Sequence, residues 1–90
     1  MNGIFSKKPE MEVKIELFGI TREIVGASRI GFELPSPATV HVLLEQLRKR
    51  YPRLQGLSSL AVAVNSEYAA QDVVLAENDE IALIPPVSGG

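Results

Sequence analysis

Few side chains of this sequence could perform chemistry. The chain has no cysteine and a single histidine, His41, so it offers neither a thiolate nucleophile nor a set of imidazole metal ligands. His41 falls on the polar side of a predicted helix, which favours a solvated surface residue over a catalytic base. Asp79 and Glu80 fall at a predicted turn and are expected to be solvated. The sequence therefore indicates no internal active site and no metal site.

The remaining reactive group is the terminal carboxylate of Gly90. Pro85 and Pro86 have no N–H to give to a sheet and favour an extended backbone, so residues 85–90 are expected to leave the sheet and reach about 20 Å. Gly89 and Gly90 have no side chains, so a narrow channel in another protein could admit them. Two interpretations stay open at this point: the end of the chain is a reagent, or it is a flexible terminus without a function.

The rest of the chain must position that end, and its pattern predicts short strands around one helix. Period-two alternation predicts two strands, and two later apolar runs predict two more: 13–17, 30–34, 60–64 and 80–84. Tyr68 begins a short return strand after the turn at 65–67. A long first connection and a helix laid across one face of a mixed sheet fit this order better than a doubly wound sheet, which would need more helices.

The main helix is predicted to begin after Thr39, a good N-cap residue, and to end before Pro52. Apolar residues recur on one face of it, at Val40, Leu43, Leu44, Leu47 and Tyr51. Glu45 and Lys49 are four residues apart on the polar face, which predicts a modest ion pair. Two strands, one helix and two or three further strands indicate an α+β roll with the helix across one face of the sheet.

The length of 90 residues fits one domain. We expect a disordered lead-in at 1–10, a folded domain at 11–85 and an exposed tail at 86–90. A net charge of −2 gives no basic face for nucleic acid, and no apolar run is long enough to span a membrane. These features predict a cytoplasmic protein that binds neither nucleic acid nor membranes.

Several motifs together resemble the small, sulfur-carrying subunit of molybdopterin synthase. The similarity covers residues 11–90, and its most specific part is the ending Asp79-Glu80 followed by Pro85-Pro86-Val87-Ser88-Gly89-Gly90. Other matching positions are Phe18, Arg22-Glu23, Thr39-Val40, Tyr51-Pro52 and Val64-Asn65. The resemblance implies a ubiquitin-like β-grasp fold, with a mixed sheet of four to five strands, one main helix across one face and an extended C-terminal tail.

The resemblance also implies a reaction cycle performed on Gly90. A ubiquitin-activating-type adenylyltransferase would use ATP to adenylate the carboxylate, and a sulfur donor protein would then replace AMP to leave a thiocarboxylate. The large catalytic subunit of the synthase would accept the tail and transfer the sulfur to cyclic pyranopterin monophosphate, forming the dithiolene of molybdopterin. The small subunit would bind no cofactor and would have no catalytic site of its own. Two transfers per product suit a heterotetramer.

By the same resemblance, the residues that bind the large subunit would be Phe18, Tyr68, Ile84, Pro85, Pro86, Val87 and Ser88. Phe18, Tyr68 and Ile84 would form an exposed apolar patch beside the tail, a usual feature of interface anchors. The alternative is that all three are core residues, and for Ile84 the alternation of its neighbours leaves both interpretations open.

Two other functions stay open. A carrier of the same chemistry could supply sulfur for thiamine or tRNA thiolation, or become joined to protein lysines. A ubiquitin-fold interaction module whose tail is never activated would belong to a different class. Residues added after Gly90 would be tolerated by the module and not by a carrier.

Overall fold

The computed structural model describes residues 10–57 and 59–86, and all structural statements below concern these residues. The elements in chain order are β1 (Glu10–Leu17), α1 (Ile20–Val25), β2 (Arg29–Pro35), α2 (Val40–Arg50), a 3-10 helix (Pro52–Gly56), β3 (Ala61–Val64), β4 (Glu67–Tyr68) and β5 (Glu80–Ile84). The predicted lead-in at 1–10 lies outside the described residues, apart from the first residue of β1.

The strands form one mixed sheet in the order β2-β1-β5-β3-β4. Among the described strands, β1 pairs with β5 in parallel, while β1 with β2, β3 with β5 and β3 with β4 are antiparallel. The last strand in sequence therefore lies between the first strand and the third. The predicted mixed sheet with one main helix is confirmed, with five strands.

The core lies between one face of the sheet, here called the inner face, and α2. Alternate residues of β1 and β5 point into it, and the apolar stripe of α2 covers them. The fully or nearly fully buried members from these three elements are Val13, Ile15, Leu17, Val40, Leu43, Leu44, Leu47, Ile81 and Leu83. Tyr51, the last residue of the predicted stripe, is half-buried.

The first N–H groups of α2 find hydrogen-bond acceptors in the Thr39 side chain and in the segment between β4 and β5. The Thr39 hydroxyl accepts a hydrogen bond from the Val42 N–H at 3.3 Å, as its predicted N-cap role requires. The Val40 and His41 N–H groups donate to carbonyls of Val73 and Gln71, at 3.0 and 2.9 Å. The segment between β4 and β5 thus holds the start of the helix in place.

The predicted ion pair between Glu45 and Lys49 is wrong. Within the part of the chain that the structure describes, Glu45 pairs instead with the imidazole of His41, with 3.3 Å between Nε2 and Oε2. His41 also contacts the Gln71 amide oxygen through Nδ1 at 3.0 Å. His41 and Lys49 are each four residues from Glu45. Of the two, His41 is already held in position by its contacts with Gln71.

Candidate functional site

The candidate site is the place where the chain leaves the sheet after β5. Ile84 is the last residue of this strand, and it faces Ala61 of β3. On the other side Leu83 faces Leu17 of β1, so β5 is hydrogen-bonded along both edges almost to its end. Pro85 and Pro86 follow and are half-buried. The base of the tail is therefore fixed by two neighbouring strands.

Gly19, in the connection between β1 and α1, lies against the ring of Pro85. A β-carbon at Gly19 would lie 3.1 Å from Cγ of Pro85, which is tighter than ordinary van der Waals contact. The backbone of Gly19 also has φ of +56° and ψ of −134°, a conformation that side chains strongly disfavour. Both facts require glycine here, and the contact limits the direction in which the chain can leave the sheet.

Thr21 is a fully buried polar residue that closes the same connection. Its hydroxyl accepts from the Phe18 N–H at 3.0 Å and donates to the Phe18 carbonyl. The Thr21 N–H donates to that carbonyl as well. The backbone of Phe18 is therefore held by three hydrogen bonds with one residue, which fix the turn from which its ring projects.

The predicted binding residues Phe18, Tyr68 and Ile84 come together at one side of the molecule. Tyr68 pairs with Ala63, and Ala63 pairs with Ala82, so these residues share the outer face of the sheet, opposite α2. Ile84 lies two residues after Ala82 on the same face. Phe18 follows Leu17 at the level of Ile84. We call this set, Phe18, Ala61, Ala63, Tyr68, Ala82 and Ile84, the outer patch.

None of the three predicted residues belongs to the core. The exposed fractions of Phe18 and Tyr68 are 42% and 77%. Ile84 is half-buried, and it lies on the opposite face of β5 from the buried Ile81 and Leu83. The open choice for Ile84 is thus resolved as regards its position in the fold, while its role in binding stays a prediction.

The other half of the outer face is charged. Glu16 and Arg29 form an ion pair with 2.9 Å between Oε2 and Nη2, and Lys14 lies beside Glu80 in the pairing of β1 with β5. An exposed pair of this kind contributes little to stability, up to about 1 kcal/mol. The outer face therefore has two parts: it is charged over β1 and β2, and it is apolar over β5, β3 and β4.

The described residues hold no group of three or more His, Asp and Glu side chains arranged to bind a metal. Across residues 10–57 and 59–86, no helix has the length and apolar character needed to cross a membrane. The predicted tail residues Val87, Ser88, Gly89 and Gly90 lie outside the described residues.

Sequence reasoning missed a hydrogen-bonded clasp at the start of β5. Asp79 was expected to be solvated, but its carboxylate accepts from the Asn65 amide at 3.0 Å and from the Ala76 N–H at 2.8 Å. Asn65 in turn accepts from the Glu80 N–H at 3.0 Å. The clasp joins the turn after β3 to the first residue of β5. Thr21 was also missed, although a threonine at a junction between a strand and a helix is a known local signal for such hydrogen bonds.

The model of the ThiS family matches residues 15–90, which begin inside β1 and include every later element. The chain belongs to the ThiS family. Relatives named molybdopterin synthase sulfur carrier subunit include proteins from a plant and from a slime mould. The relative from Arabidopsis thaliana is 36% identical over 81 residues, which are 89% of this chain and 84% of the relative. The relative from Dictyostelium discoideum is 40% identical over 83 residues, which are 88% of this chain and 96% of the relative. The resemblance stated from the sequence is confirmed.

Solved structures of ThiS-like proteins confirm the β-grasp fold. A Pyrococcus furiosus protein provisionally described as molybdopterin converting factor subunit 1 has a TM-score of 0.80 at 28% identity, covering 86% of this chain and 99% of its own. Small archaeal modifier protein 1 of Haloferax volcanii has a TM-score of 0.76 at 28% identity, with the same two coverages. One chain in a complex of subunits 1 and 2 of the Helicobacter pylori molybdopterin-converting factor has a TM-score of 0.60 at 26% identity, covering 89% of this chain and all of its own.

Proposed function

We propose that this ThiS-family protein is the sulfur carrier subunit of a molybdopterin synthase, and that its reactive group is the carboxylate of Gly90. The observation that carries the proposal is the outer patch: apolar side chains cover the outer face of the sheet up to Ile84, where the chain leaves β5. The names of the relatives at 36% and 40% identity support the same assignment. In this proposal the folded domain is the part that partner proteins bind, and it presents the C-terminal carboxylate to them.

The proposed chemistry begins with an adenylyltransferase of the ubiquitin-activating type. The Gly90 carboxylate attacks the α-phosphate of ATP, pyrophosphate leaves, and the product is an acyl adenylate. Hydrosulfide released by a donor protein attacks the acyl carbon, the bond to the phosphate breaks and AMP leaves, so that a thiocarboxylate remains. The carrier needs no catalytic side chain for either step, because both the activation and the sulfur come from its partners.

The second part of the cycle takes place in the large catalytic subunit. The tail enters its active site, and the thiocarboxylate sulfur forms a bond to cyclic pyranopterin monophosphate. Water then cleaves the acyl–sulfur bond and returns Gly90 as a carboxylate, and two such transfers build the dithiolene of molybdopterin. The Helicobacter pylori complex supports a partner of this kind, since it contains subunit 2 beside the subunit that resembles this chain. A heterotetramer with two carriers would suit the two transfers.

In this proposal the outer patch binds the large subunit. Phe18 and Tyr68 are the exposed aromatic anchors, and Ile84 on the strand between theirs directly precedes the tail. Large apolar side chains grouped on one surface are typical of the central contacts of an interface. The rigid connection at Gly19 and Thr21 would then keep the anchors and the tail in a fixed relation, so that docking of the patch aims the tail.

The proposal is tested by intact mass of the protein isolated from its host. The expected result is replacement of one oxygen by sulfur at the C-terminus, and its loss when the adenylyltransferase is absent. A variant lacking Gly90 is expected to fold normally and to abolish molybdenum cofactor formation. A host that depends on this carrier and still makes the cofactor with the Gly90 deletion would contradict the proposal.

A second candidate function is attachment of the activated tail to protein lysines. The similarity to a protein named small archaeal modifier protein 1 favours it over the remaining alternatives. An acyl adenylate or a thioester derived from it can be captured by an amine, so both functions would begin with the same activation. Conjugates of the tagged carrier that resist reducing agents and disappear on deletion of Gly90 would identify this second function.

A further inference from the structure

The outer strand β2 has an edge that no described residue covers. In the sheet order it is terminal and it pairs only with β1. It is the longest edge strand here, with seven residues against two in β4. A long edge strand offers unpaired N–H and C=O groups to another strand.

The pairing with β1 determines which backbone groups are available. The Leu17 N–H donates to the Ser28 carbonyl at 3.0 Å, which marks this pair as hydrogen-bonded. In an antiparallel ladder such pairs alternate, so every second residue after Ser28 points toward β1. The residues between them, Arg29, Gly31 and Glu33, point their N–H and C=O groups to the free edge.

The other edge of β1 supports the same alternation. The Lys14 N–H donates to the Asp79 carbonyl at 3.0 Å, so the even-numbered residues of β1 face β5. Its odd-numbered residues consequently face β2. The phase of the ladder is thus set independently by hydrogen bonds on both sides of β1.

We propose that the β2 edge binds the β2 edge of a second copy of this chain, antiparallel and with a two-fold axis at Gly31. In this register Arg29 of each copy lies opposite Glu33 of the other, and Gly31 lies opposite Gly31. The three pairs use the free backbone groups identified above, with two hydrogen bonds in each pair. The sequence Arg-Ile-Gly-Phe-Glu is therefore complementary to itself when reversed.

The charges along β2 favour this partner. Glu33 pairs in register with Glu12 of its own chain, whose carboxylate reaches over Gly31, and two carboxylates at paired positions of a sheet are unfavourable. In the dimer Arg29 of the second copy would lie on the free side of Glu33 and offset this repulsion. Arg29 is paired with Glu16 on one side only, so its other side remains available.

The apolar residues and the centre of the strand fit as well. Ile30 and Phe32 are half-buried on the inner face, and the two-fold register places Ile30 of one copy beside Phe32 of the other. Gly31 carries no side chain, and the Glu12 carboxylate of the same chain occupies the space above it, with Oε2 2.6 Å from the position of a β-carbon. The dimer would then extend both the sheet and its apolar inner face across the axis.

The dimer would leave the proposed function accessible. β2 and β4 are at opposite ends of the sheet order, and β5 and the outer patch lie toward β4. A second copy at the β2 edge therefore does not cover the exit of the tail. The two proposals are independent, and failure of one does not affect the other.

The test is sedimentation equilibrium of the full chain from about 10 μM to about 1 mM, a range in which small interfaces associate. Association is expected for the native sequence, and Glu33→Arg is expected to weaken it about tenfold or more by placing two arginines opposite each other in both pairs. Arg29→Glu combined with Glu33→Arg should restore it, since the exchanged charges again face each other. Asp72→Arg, with the same change of net charge on an exposed turn, is the matched control and should leave association unchanged.

Amide resonances of Arg29, Gly31 and Glu33 distinguish this interface from other ways of covering the edge. Their chemical shifts are expected to change with protein concentration to the same extent as the dimer fraction. The same spectra confirm that each variant is folded. A chain that stays monomeric over this range overturns the proposal. This holds equally if the three amides contact segment 1–9 of the same chain, contact an added partner, or stay exposed to solvent. Association that Glu33→Arg leaves unchanged, or that the double variant does not restore, overturns it as well.

Discussion

Gly19 and Pro85 are far apart in sequence but touch at the base of the tail. The parallel pairing of β1 with β5 brings the C-terminal ends of both strands together at the same end of the sheet. A β-carbon at Gly19 would approach Cγ of Pro85 to 3.1 Å. One residue of the β1–α1 connection thereby limits how the chain continues beyond β5. The same connection carries Phe18, so this predicted anchor and the base of the tail share one support.

Gly19→Ala is expected to lower the free energy of unfolding by about 1–3 kcal/mol, since alanine is strained in this backbone conformation. It should also weaken binding to the large subunit, because the added methyl group displaces Pro85. Gly26→Ala is the matched control: Gly26 also has a positive φ, of 88°, but a β-carbon there would meet nothing within 4 Å. Urea unfolding and calorimetric titration measure the two effects. If both variants bind the large subunit equally well, the contact with Pro85 does not direct the tail.

Ile84→Lys is expected to weaken binding to the large subunit at least tenfold while the domain stays folded, because a charge replaces an apolar side chain on the outer face. Leu83→Lys, one residue earlier and fully buried, should unfold the domain. Circular dichroism and calorimetric titration separate the outcomes. Unfolding of the Ile84 variant, or its undiminished affinity, would remove Ile84 from the docking surface.

Thr21→Val is expected to cost about 1–3 kcal/mol, because a methyl group replaces the hydroxyl and the Phe18 N–H loses its buried acceptor. Thr21→Ser keeps the hydroxyl and should recover most of the hydrogen bonding. Thermal unfolding gives the stability, and the amide resonance of Phe18 reports the hydrogen bond directly. A serine variant as unstable as the valine variant would assign the effect to packing of the threonine methyl group.

Asp79→Ala is expected to cost about 1–2 kcal/mol, because the carboxylate accepts hydrogen bonds from Asn65 and from the Ala76 backbone. A double-mutant cycle with Asn65→Ala should show a coupling of at least about 0.5 kcal/mol, since the two residues share one hydrogen bond. Unfolding in urea supplies the four free energies. Strictly additive effects would mean that the clasp does not act as a unit.

The sequence was sufficient to predict the elements whose pattern is local. Alternation over β1 and the stripe along α2 gave the buried faces correctly, because a side chain's burial there follows directly from the period of the element. Thr39 and Pro52 likewise mark the two ends of α2 through local backbone geometry. The resemblance then supplied the fold family and placed Phe18, Tyr68 and Ile84 on a common surface.

The contacts between distant segments could not be predicted in this way. Nothing local to Gly19 shows that Pro85 will lie against it, and nothing near Asp79 shows that Asn65 will donate to it. Both contacts depend on the order of strands in the sheet. The error at Glu45 has a related cause, since Gln71 from a remote segment holds His41 in place beside it.

The pairing of β1 with β5 joins strands from nearly opposite ends of the described domain. Bringing the two strands together closes a long loop, and the entropy lost is offset only when the strands are fully paired. This pairing is therefore expected to form slowly and to depend on most of the intervening chain. A partly folded molecule would therefore lack the support on which the tail rests. In the proposed function, a partner that recognises the tail together with this support would therefore bind the folded chain and not a partly folded one.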